Sequence, residues 1–357
     1  MRAVARFLAA SCLFVGVAAS ATATERGGWT LYWENDSLGR RDAHYTNGLR
    51  FVKIFDEGTE PDWTHRLRSH VSTSSWSRRL GLADCEVSGA AGCARYEFGW
   101  STGQQMYTPE DIRRPRLLRT DRPYAGWLYL GRTIRIEGRR FVHEFEGNLG
   151  FVGPNSMAGA VQKGWHWVLQ EAGVDVPSPK GWEHQLRAEP VVQTTAQTAW
   201  TALRFPAHRP ILDLTPHAEL ALGTVQVYAG VGASVRLGFS LPSHQGAGTI
   251  RARAAFLDQG AARSHAYAFY RFDRRHVAYN KFLEGNLAYF GPSHSVPPIR
   301  DLSDREFGIS LRFASGRGAL AKLARFELQL AHVIRDREFV GQVRRQEYDS
   351  LALSVRR

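Results

Sequence analysis

From Val225 the apolar residues Val225, Val227, Ala229, Val231, Ala233, Val235, Leu237 and Phe239 interleave with Gln226, Tyr228, Gly230, Gly232, Ser234, Arg236, Gly238 and Ser240. A period of two places alternate side chains on opposite faces of a strand, and an ordinary strand runs only about 5 to 6 residues. This one is far longer, with one face wholly apolar and the other of Gly, Ser, Gln and Arg. Immediately upstream Leu212, Leu214, Pro216, Ala218, Leu220 and Leu222 alternate with Asp213, Thr215, His217, Glu219 and Ala221, and Gly223-Thr224 supplies the turn. Leu186 to Trp200, Phe307 to Phe313 and Ala324 to Leu330 keep the same habit.

Soluble sandwiches also alternate, so a single such strand decides nothing. Several of them, in a chain bearing an export signal and no apolar segment long enough for a spanning helix, fit an all-β transmembrane antiparallel β-barrel. Twelve strands are expected near residues 29 to 34, 45 to 55, 95 to 105, 124 to 136, 140 to 151, 184 to 200, 211 to 222, 225 to 239, 264 to 276, 304 to 314, 322 to 335 and 345 to 357. An even count puts both termini at one end. In a bacterial outer membrane that end is periplasmic, so loops 35 to 44, 106 to 123 and 152 to 183 face outward, and long connections such as Asp56 to Ala94 face inward. Trp127, Tyr129, Tyr267, Phe269 and Tyr289 are expected in the interfacial aromatic girdles. Arg236, Glu219, Asp213, Arg187, Glu189 and Arg325 are expected to pair and fill the lumen of so small a barrel.

The amino terminus carries Arg2 and Arg6, an apolar run from Phe7 to Ala19 and then Ala21-Thr22-Ala23. Residues 1 to 23 read as a secretory signal peptide, leaving 24 to 357 as one barrel domain, expected as a monomer. Cys12 lies inside the apolar run without the aliphatic residue that precedes a lipoprotein cysteine, which argues against lipidation. The other two cysteines, Cys85 and Cys93, enclose a short Gly/Ala loop that supplies too few ligands for a metal, and in an oxidising compartment they are expected to form a disulfide. The formal charge of +12 becomes +10 without Arg2 and Arg6. On an exported chain that excess points to anionic lipid or lipopolysaccharide phosphates, with no nucleic-acid partner.

Chemistry concentrates in Trp33-Glu34-Asn35-Asp36-Ser37 and Arg41-Asp42-Ala43-His44-Tyr45-Thr46-Asn47-Gly48. Asn and Asp side by side are turn formers, yet Asn35, Asp36, Asp42, Thr46 and Asn47 also gather the hard oxygen donors that calcium prefers. No EF-hand spacing is present. In the third outward loop Ala158 to Ala172 reads as a helix stopped by Gly173 and capped by Asn155 or Ser156. Val161, Trp165, Val168 and Leu169 form its apolar face. Gln162, His166 and Gln170 share another, where His166 is either a solvated surface histidine or a base.

Glu34-Asn35-Asp36, Tyr45-Thr46-Asn47-Gly48, Gly103-Gln104-Gln105-Met106-Tyr107-Thr108-Pro109, Asp121-Arg122-Pro123-Tyr124-Ala125-Gly126, Gly153-Pro154 with Gln162 and His166, and Gly181-Trp182-Glu183-His184-Gln185-Leu186 occur in that order. As a set they resemble the outer-membrane lipid A 3′-O-deacylases. The resemblance implies a twelve-stranded barrel with its active site at the outer rim and calcium-dependent hydrolysis of an ester on lipid A of lipopolysaccharide. By position Asn35, Asp36 and Thr46 match the first-loop active-site residues, and His166 matches the catalytic histidine. The acid expected after that histidine falls on Ala172, and the nearest carboxylate is Glu171. The basic residue of the second loop has no gap-free equivalent, although Arg113 and Arg114 stand close to its place. Arg113, Arg114 and Arg122, with Arg116 and Arg119, are candidates to bind the phosphates of lipid A.

The same chemistry follows from the residues. Ester hydrolysis needs a base near neutrality and a cation or donors for the developing oxyanion. His166 supplies the base, a calcium ion on Asn35 and Asp36 the cation, Thr46 a donor, and a carboxylate on the other imidazole nitrogen would fix the tautomer. Ser37 or Ser156 would serve a nucleophilic route, but neither lies in a Gly-x-Ser-x-Gly elbow. A phospholipase would need a serine and histidine presented together on a strand, and a non-enzymatic pore or surface-binding barrel is the further alternative. The chain ends Leu353-Ser354-Val355-Arg356-Arg357, without the terminal aromatic common in outer-membrane barrels.

Overall fold

The computed structural model describes residues 28–36, 43–55, 60–75, 82–83, 85, 93–138, 140–206, 208–242, 250, 264–312 and 326–356. The signal segment, Ser37, Asp42 and Arg325 lie outside them. The strands are β1 (Gly28–Asn35), β2 (His44–Ile54), β3 (Arg95–Thr108), β4 (Ala125–Glu137), β5 (Phe141–Val152), β6 (Glu189–Trp200), β7 (Leu203–Phe205), β8 (Leu212–Gly223), β9 (Gln226–Phe239), β10 (His265–Asn280), β11 (Asp301–Arg312), β12 (Phe326–Arg335) and β13 (Gln346–Arg356). Neighbours pair antiparallel around the sheet, β1 on β13 and β6 on β8, so twelve long strands close on themselves. Closure leaves no edge whose backbone groups would face lipid. The short β7 is a thirteenth strand with no counterpart in the sequence reading. It adds to the start of β8, where Leu203 sits opposite Leu214.

Gly28 lies opposite Arg356, so both ends of the described chain share one rim. The opposite, far rim receives six connections. Besides 36–43, 109–124 and 153–188 they are the tight turn after β8, 281–300 and 336–345. The last two were not counted among the site-bearing loops by the sequence reading, although strand alternation puts them there.

Alternation sets the faces as the period implied. On β9 Val231 and Leu237 are 63% and 60% exposed, whereas Ser234 and Arg236 are buried. The aromatic assignment needs correction: Trp127, Tyr129 and Tyr267 are buried, because their register puts them on the lumen side. Phe141, Phe145, Phe151, Trp200, Phe239, Tyr270 and Phe307 are among the outward aromatic residues.

The lumen is packed with paired charge. Arg236 forks onto Asp213, Arg50 meets Glu146, Asp273 receives both Arg271 and His217, and Asp304 receives Arg275 and Arg335. Bidentate or multiply bonded pairs of this kind offset the cost of desolvating each ion. Arg187 departs from the expectation: it is exposed at the far rim, where its Nε donates to the Pro292 carbonyl. Helix α3 (Lys281–Glu284) closes the lumen at that rim by stacking Phe282 on Tyr107, ring centroids 4.1 Å apart. Lys281, fully buried, meets Glu189, whose other oxygen accepts from Asn286. Ile250, from the connection between β9 and β10, enters the barrel and its backbone N–H donates to Glu34. Among the described residues the lumen holds a cavity of about 40 Å³ lined by Glu34, Tyr45, Gln105, Tyr129 and Glu146 among others, room for a few waters.

Among the described residues two helices pack on the outside of the wall. Helix α1 (Asp62–Thr73), which lies within the connection expected between β2 and β3, packs near the terminal rim, with Leu67 and Val71 against Tyr96, Phe98 and Ile136. Cys85 and Cys93 are bridged in the same connection, as expected. Helix α2 (Ala158–Glu171) lies at the far rim.

The face assignment yields a quantitative test. Val231→Arg is expected to destabilise the folded barrel by about 2 to 4 kcal/mol, whereas Ser234→Thr leaves it within about 1 kcal/mol. Urea titration of heat-modifiable gel mobility in lipid vesicles measures both.

Candidate active site

Asn35, Thr46 and the residues on which helix α2 docks lie on the outer face of the wall, away from the lumen. Along β1 the even positions Thr30, Tyr32 and Glu34 turn inward, which sends Asn35 outward, opposite Asn47. On β3 Ser101, Gln105 and Tyr107 face the lumen, so Gln104, Met106 and Thr108 face out. A register shift between Tyr45 and Asn47 inserts Thr46 as an extra residue, and bulges of this kind re-aim a side chain. Thr46 Oγ1 lies 2.7 Å from Thr108 Oγ1. Asp36 continues β1 past the rim. Its backbone N–H donates to the Thr46 carbonyl at 3.4 Å, and its Oδ2 accepts from the Ala43 N–H at 2.6 Å. Asn35, Asp36 and Thr46 are all buried. The structure thus brings the three together on neighbouring strand ends.

Helix α2 docks a short distance along the same wall. Gly126 of β4 faces outward, and a Cβ there would run into Ser156 and Ala158. Gln104 Nε2 donates to the Ser156 carbonyl at 2.6 Å. Met106, Ile112, Tyr124, Ala158 and Trp182 form a small apolar cluster between helix and wall. The expected caps are not used as such: Asn155 and Ser156 belong to a 3-10 turn, and the N-cap is Met157 with φ of 59°. Ser156 is buried, and its hydroxyl donates to the Gly153 carbonyl at 2.6 Å, which removes the hydrogen a serine nucleophile would surrender to a base.

The expected helix faces are also corrected. Ala158, Gln162, His166 and Leu169 are buried, while Val161 and Val168 are exposed. Gln162 and His166 turn inward because polar partners await them beside the apolar cluster: Gln162 Oε1 accepts from Trp182 Nε1 at 2.7 Å. His166, only 6% exposed, is therefore not a solvated surface histidine. Its Nδ1 lies 2.6 Å from the Pro177 carbonyl. A carbonyl only accepts, so Nδ1 carries the hydrogen and Nε2 is the basic nitrogen of the neutral ring. Here a main-chain oxygen takes the place foreseen for a carboxylate, and Glu171 is exposed at the end of the helix. Gln170 holds that segment by donating to the Val176 carbonyl at 2.9 Å.

The arginines divide. Arg113 and Arg114 are largely exposed and both reach Asp111, whose carboxyl is held below its ordinary value chiefly by the hydrogen bond from Arg113. Arg122 is a structural residue and not an exposed phosphate ligand: it is fully buried, bonded to Glu338 at 3.0 Å and stacked over Tyr107 at 4.7 Å. Burial alone would raise the Glu338 carboxyl, but Arg122 and Arg335 hold it down at about 2. The neighbouring Asp121, whose carboxyl burial pushes up, accepts from the backbone N–H groups of Arg122 and Glu110. Its carbonyl takes the His294 Nε2 hydrogen at 2.7 Å. Glu338, His294, Lys281 and Pro177 escaped the sequence reading, because their roles arise from loops that meet only after closure.

Among the described residues no three His, Cys, Asp or Glu side chains cluster to hold a metal. A metal at the first loop would therefore rest on the Asp36 carboxylate, the Asn35 amide oxygen and neutral oxygens. That all-oxygen set suits calcium and not a thiophilic ion.

The model of the outer membrane protein LpxR family matches residues 7–357. Among solved structures the fold is similar to LpxR from Salmonella typhimurium, with a TM-score of 0.69 and 15% identity over 92% of this chain and 100% of that one. The β domain of the Bordetella autotransporter BrkA, at 10% identity over 92% of this chain and 98% of that one, has a TM-score of 0.43. The translocator domain of NalP from Neisseria meningitidis, at 7% identity over 99% of this chain and 97% of that one, has a TM-score of 0.39. No curated protein matches the chain by sequence.

Two tests follow from this geometry. Gly126→Leu is expected to displace α2 and abolish any activity of the site while the barrel still shows heat-modifiable mobility, since only the outer face is disturbed. Glu338 has a depressed folded value, so its contribution to stability is complete above the ordinary value of 4.5 and is lost as pH falls through about 2. Glu338→Gln strands the buried Arg122 at a cost of about 3 to 5 kcal/mol at neutral pH, and should flatten that acid-side decline in urea titrations.

Proposed function

The chain belongs to the LpxR outer membrane protein family, and from that premise we propose that it is a calcium-dependent lipid A deacylase. The reaction is hydrolysis of the 3′-linked acyl or acyloxyacyl ester of lipopolysaccharide, at the far rim, which faces the cell exterior. The observation that carries this reading is His166, buried at the far rim with its tautomer set by Pro177, on the same rim as Asn35 and Thr46 on the outward face and Asp36 at the end of β1. An ester whose acyl chains stay in the membrane is reached from the outside of a barrel wall and not from its lumen.

His166 Nε2 takes a proton from water as the water oxygen bonds to the ester carbonyl carbon. The tetrahedral intermediate then collapses, the bond from carbon to the sugar oxygen breaks, and the proton on Nε2 passes to that oxygen. The imidazolium formed in between is stabilised through Nδ1–H on the Pro177 carbonyl, a weaker partner than a carboxylate but one that holds the ring in place. The Thr46 and Thr108 hydroxyls share a hydrogen bond that either can donate, and in the arrangement where Thr108 donates the Thr46 hydroxyl has its own hydrogen for the oxyanion. Asn35 and Asp36 would hold calcium, which when bound supplies positive charge beside the ester oxygen. Arg113 and Arg114 offer exposed guanidinium groups to the phosphates of lipid A. Glu171 keeps no part in orienting the ring.

The alternatives lose support on separate grounds. A pore requires an open lumen, and here paired side chains and Phe282 occupy it. A serine phospholipase requires a free serine hydroxyl near the histidine; among the described residues that of Ser156 is bonded to the Gly153 carbonyl, while Ser37 lies outside them.

Mass spectrometry of lipid A from cells with and without the protein should show loss of an acyl or acyloxyacyl mass; an unchanged spectrum would refute the proposal. His166→Gln keeps size and hydrogen bonding but cannot take the proton, so the rate should fall about 100-fold or more with heat-modifiable mobility retained. Chelation of calcium should abolish hydrolysis, and Asp36→Ala should demand more calcium for whatever rate survives. The Arg113→Ala/Arg114→Ala pair is expected to raise KM on phosphorylated lipid A and leave kcat largely unchanged.

A further inference from the structure

Helix α2 carries more apolar surface than its docking uses. Met157, Val161, Gly164, Trp165 and Val168 fall on one flank by helical spacing, beside the buried row of Ala158, Gln162, His166 and Leu169. Met157, Val161 and Val168 are 62%, 45% and 41% exposed. Met157 does this with φ of 59°, a strained setting for a residue with a side chain.

The direction of that flank follows from what covers the other one. Gly159 abuts the Trp182 ring, Gln162 bonds Trp182, His166 bonds Pro177, and Gln170 bonds Val176. The covering segment is tied in turn to the loop beyond the far rim: Lys180 N–H donates to the Ile112 carbonyl at 2.7 Å, and Tyr124 Oη donates to the Lys180 carbonyl. The covered flank thus faces the loops beyond the rim. The opposite flank is the exposed one, and along the outward rows of β4 and β5 below the docking point at Gly126 stand Leu130, Leu149 and Phe151, 61%, 69% and 45% exposed. Its polar counterpart, with Lys163 and Gln170, is turned away from that band.

We infer that α2 lies half-sunk in the leaflet at the far rim, with Met157, Val161 and Val168 in contact with lipid hydrocarbon, continuous with the lipid-facing band of β4 and β5. A helix with one apolar and one charged flank rests in such an interface with its apolar side buried a few ångströms into the acyl region. The site below Gln162 and His166 then opens sideways onto the leaflet, and a lipid ester reaches it without leaving the membrane. The inference rests on the barrel's spanning a bilayer and takes the proposed activity only for its consequence.

Single cysteines at Val161, Val168, Lys163 and Leu149 test it, since Cys85 and Cys93 are occupied with each other. Each variant is spin-labelled and reconstituted in phosphatidylethanolamine and phosphatidylglycerol vesicles, and foldedness is checked by heat-modifiable mobility. Labels at 161 and 168 should match the label at 149, with high collision rates with oxygen and several-fold protection from a water-soluble nickel chelate; the label at 163 should show the reverse. Two positions on the flank keep the test intact if one variant fails to fold. Nickel accessibility at 161 and 168 equal to that at 163 overturns the inference. The readout is lipid contact and not hydrolysis. An active protein with water-exposed labels would sink the contact alone, and an inactive one with lipid-immersed labels would sink only the catalytic reading.

Discussion

A backbone group exposed to hydrocarbon has no water to satisfy it, and the rest of this protein follows from how the chain meets that constraint. Twelve long strands exchange their hydrogen bonds around a ring closed by β6 on β8, so no edge is left. Closure makes every strand two-faced. One face must be tolerable to lipid, which accounts for Val231, Leu237 and Phe239. The other must be tolerable to a lumen too narrow for bulk water. It is filled by long side chains that neutralise one another.

That filling has a functional consequence. Arg50, Arg122, Arg135 and Arg236 are among the largest fully buried side chains, and each buried guanidinium requires an anion or ring face close by. The network therefore locks the lumen. At the far rim the same logic reaches the loops, where Arg122 on Glu338 and Lys281 on Glu189 tie connections distant in sequence to the wall. The helix docks on the outside of the barrel, where the bare backbone of Gly126 makes room for Ser156 and Ala158.

The helix shows how tertiary context overrules a local pattern. Its apolar residues suggested the face to be buried, yet the surface it meets presents an indole N–H, an amide and a small notch. Hydrogen bonds decided the docking and left the apolar flank to another apolar environment. The histidine gained from this: an exposed imidazole has no fixed tautomer, whereas His166 donates one nitrogen to a main-chain carbonyl.

Period-two patterning by itself determined the barrel, its twelve spanning strands and which residues face lipid on β8 and β9, because a one-residue slip would send every charge into the membrane. It also marked the first loop, the helix and its histidine, since dense polar motifs between long strands have no packing reason to exist. What it could not supply was anything that depends on which strand ends meet. The inward turn of Trp127 and Tyr129, the burial of Arg122 against Glu338, the carbonyl of Pro177 in place of Glu171 and the outward face of Asn35 and Thr46 are decided by register and closure. These are contacts between residues far apart in the chain, and only the closed ring brings them within bonding distance.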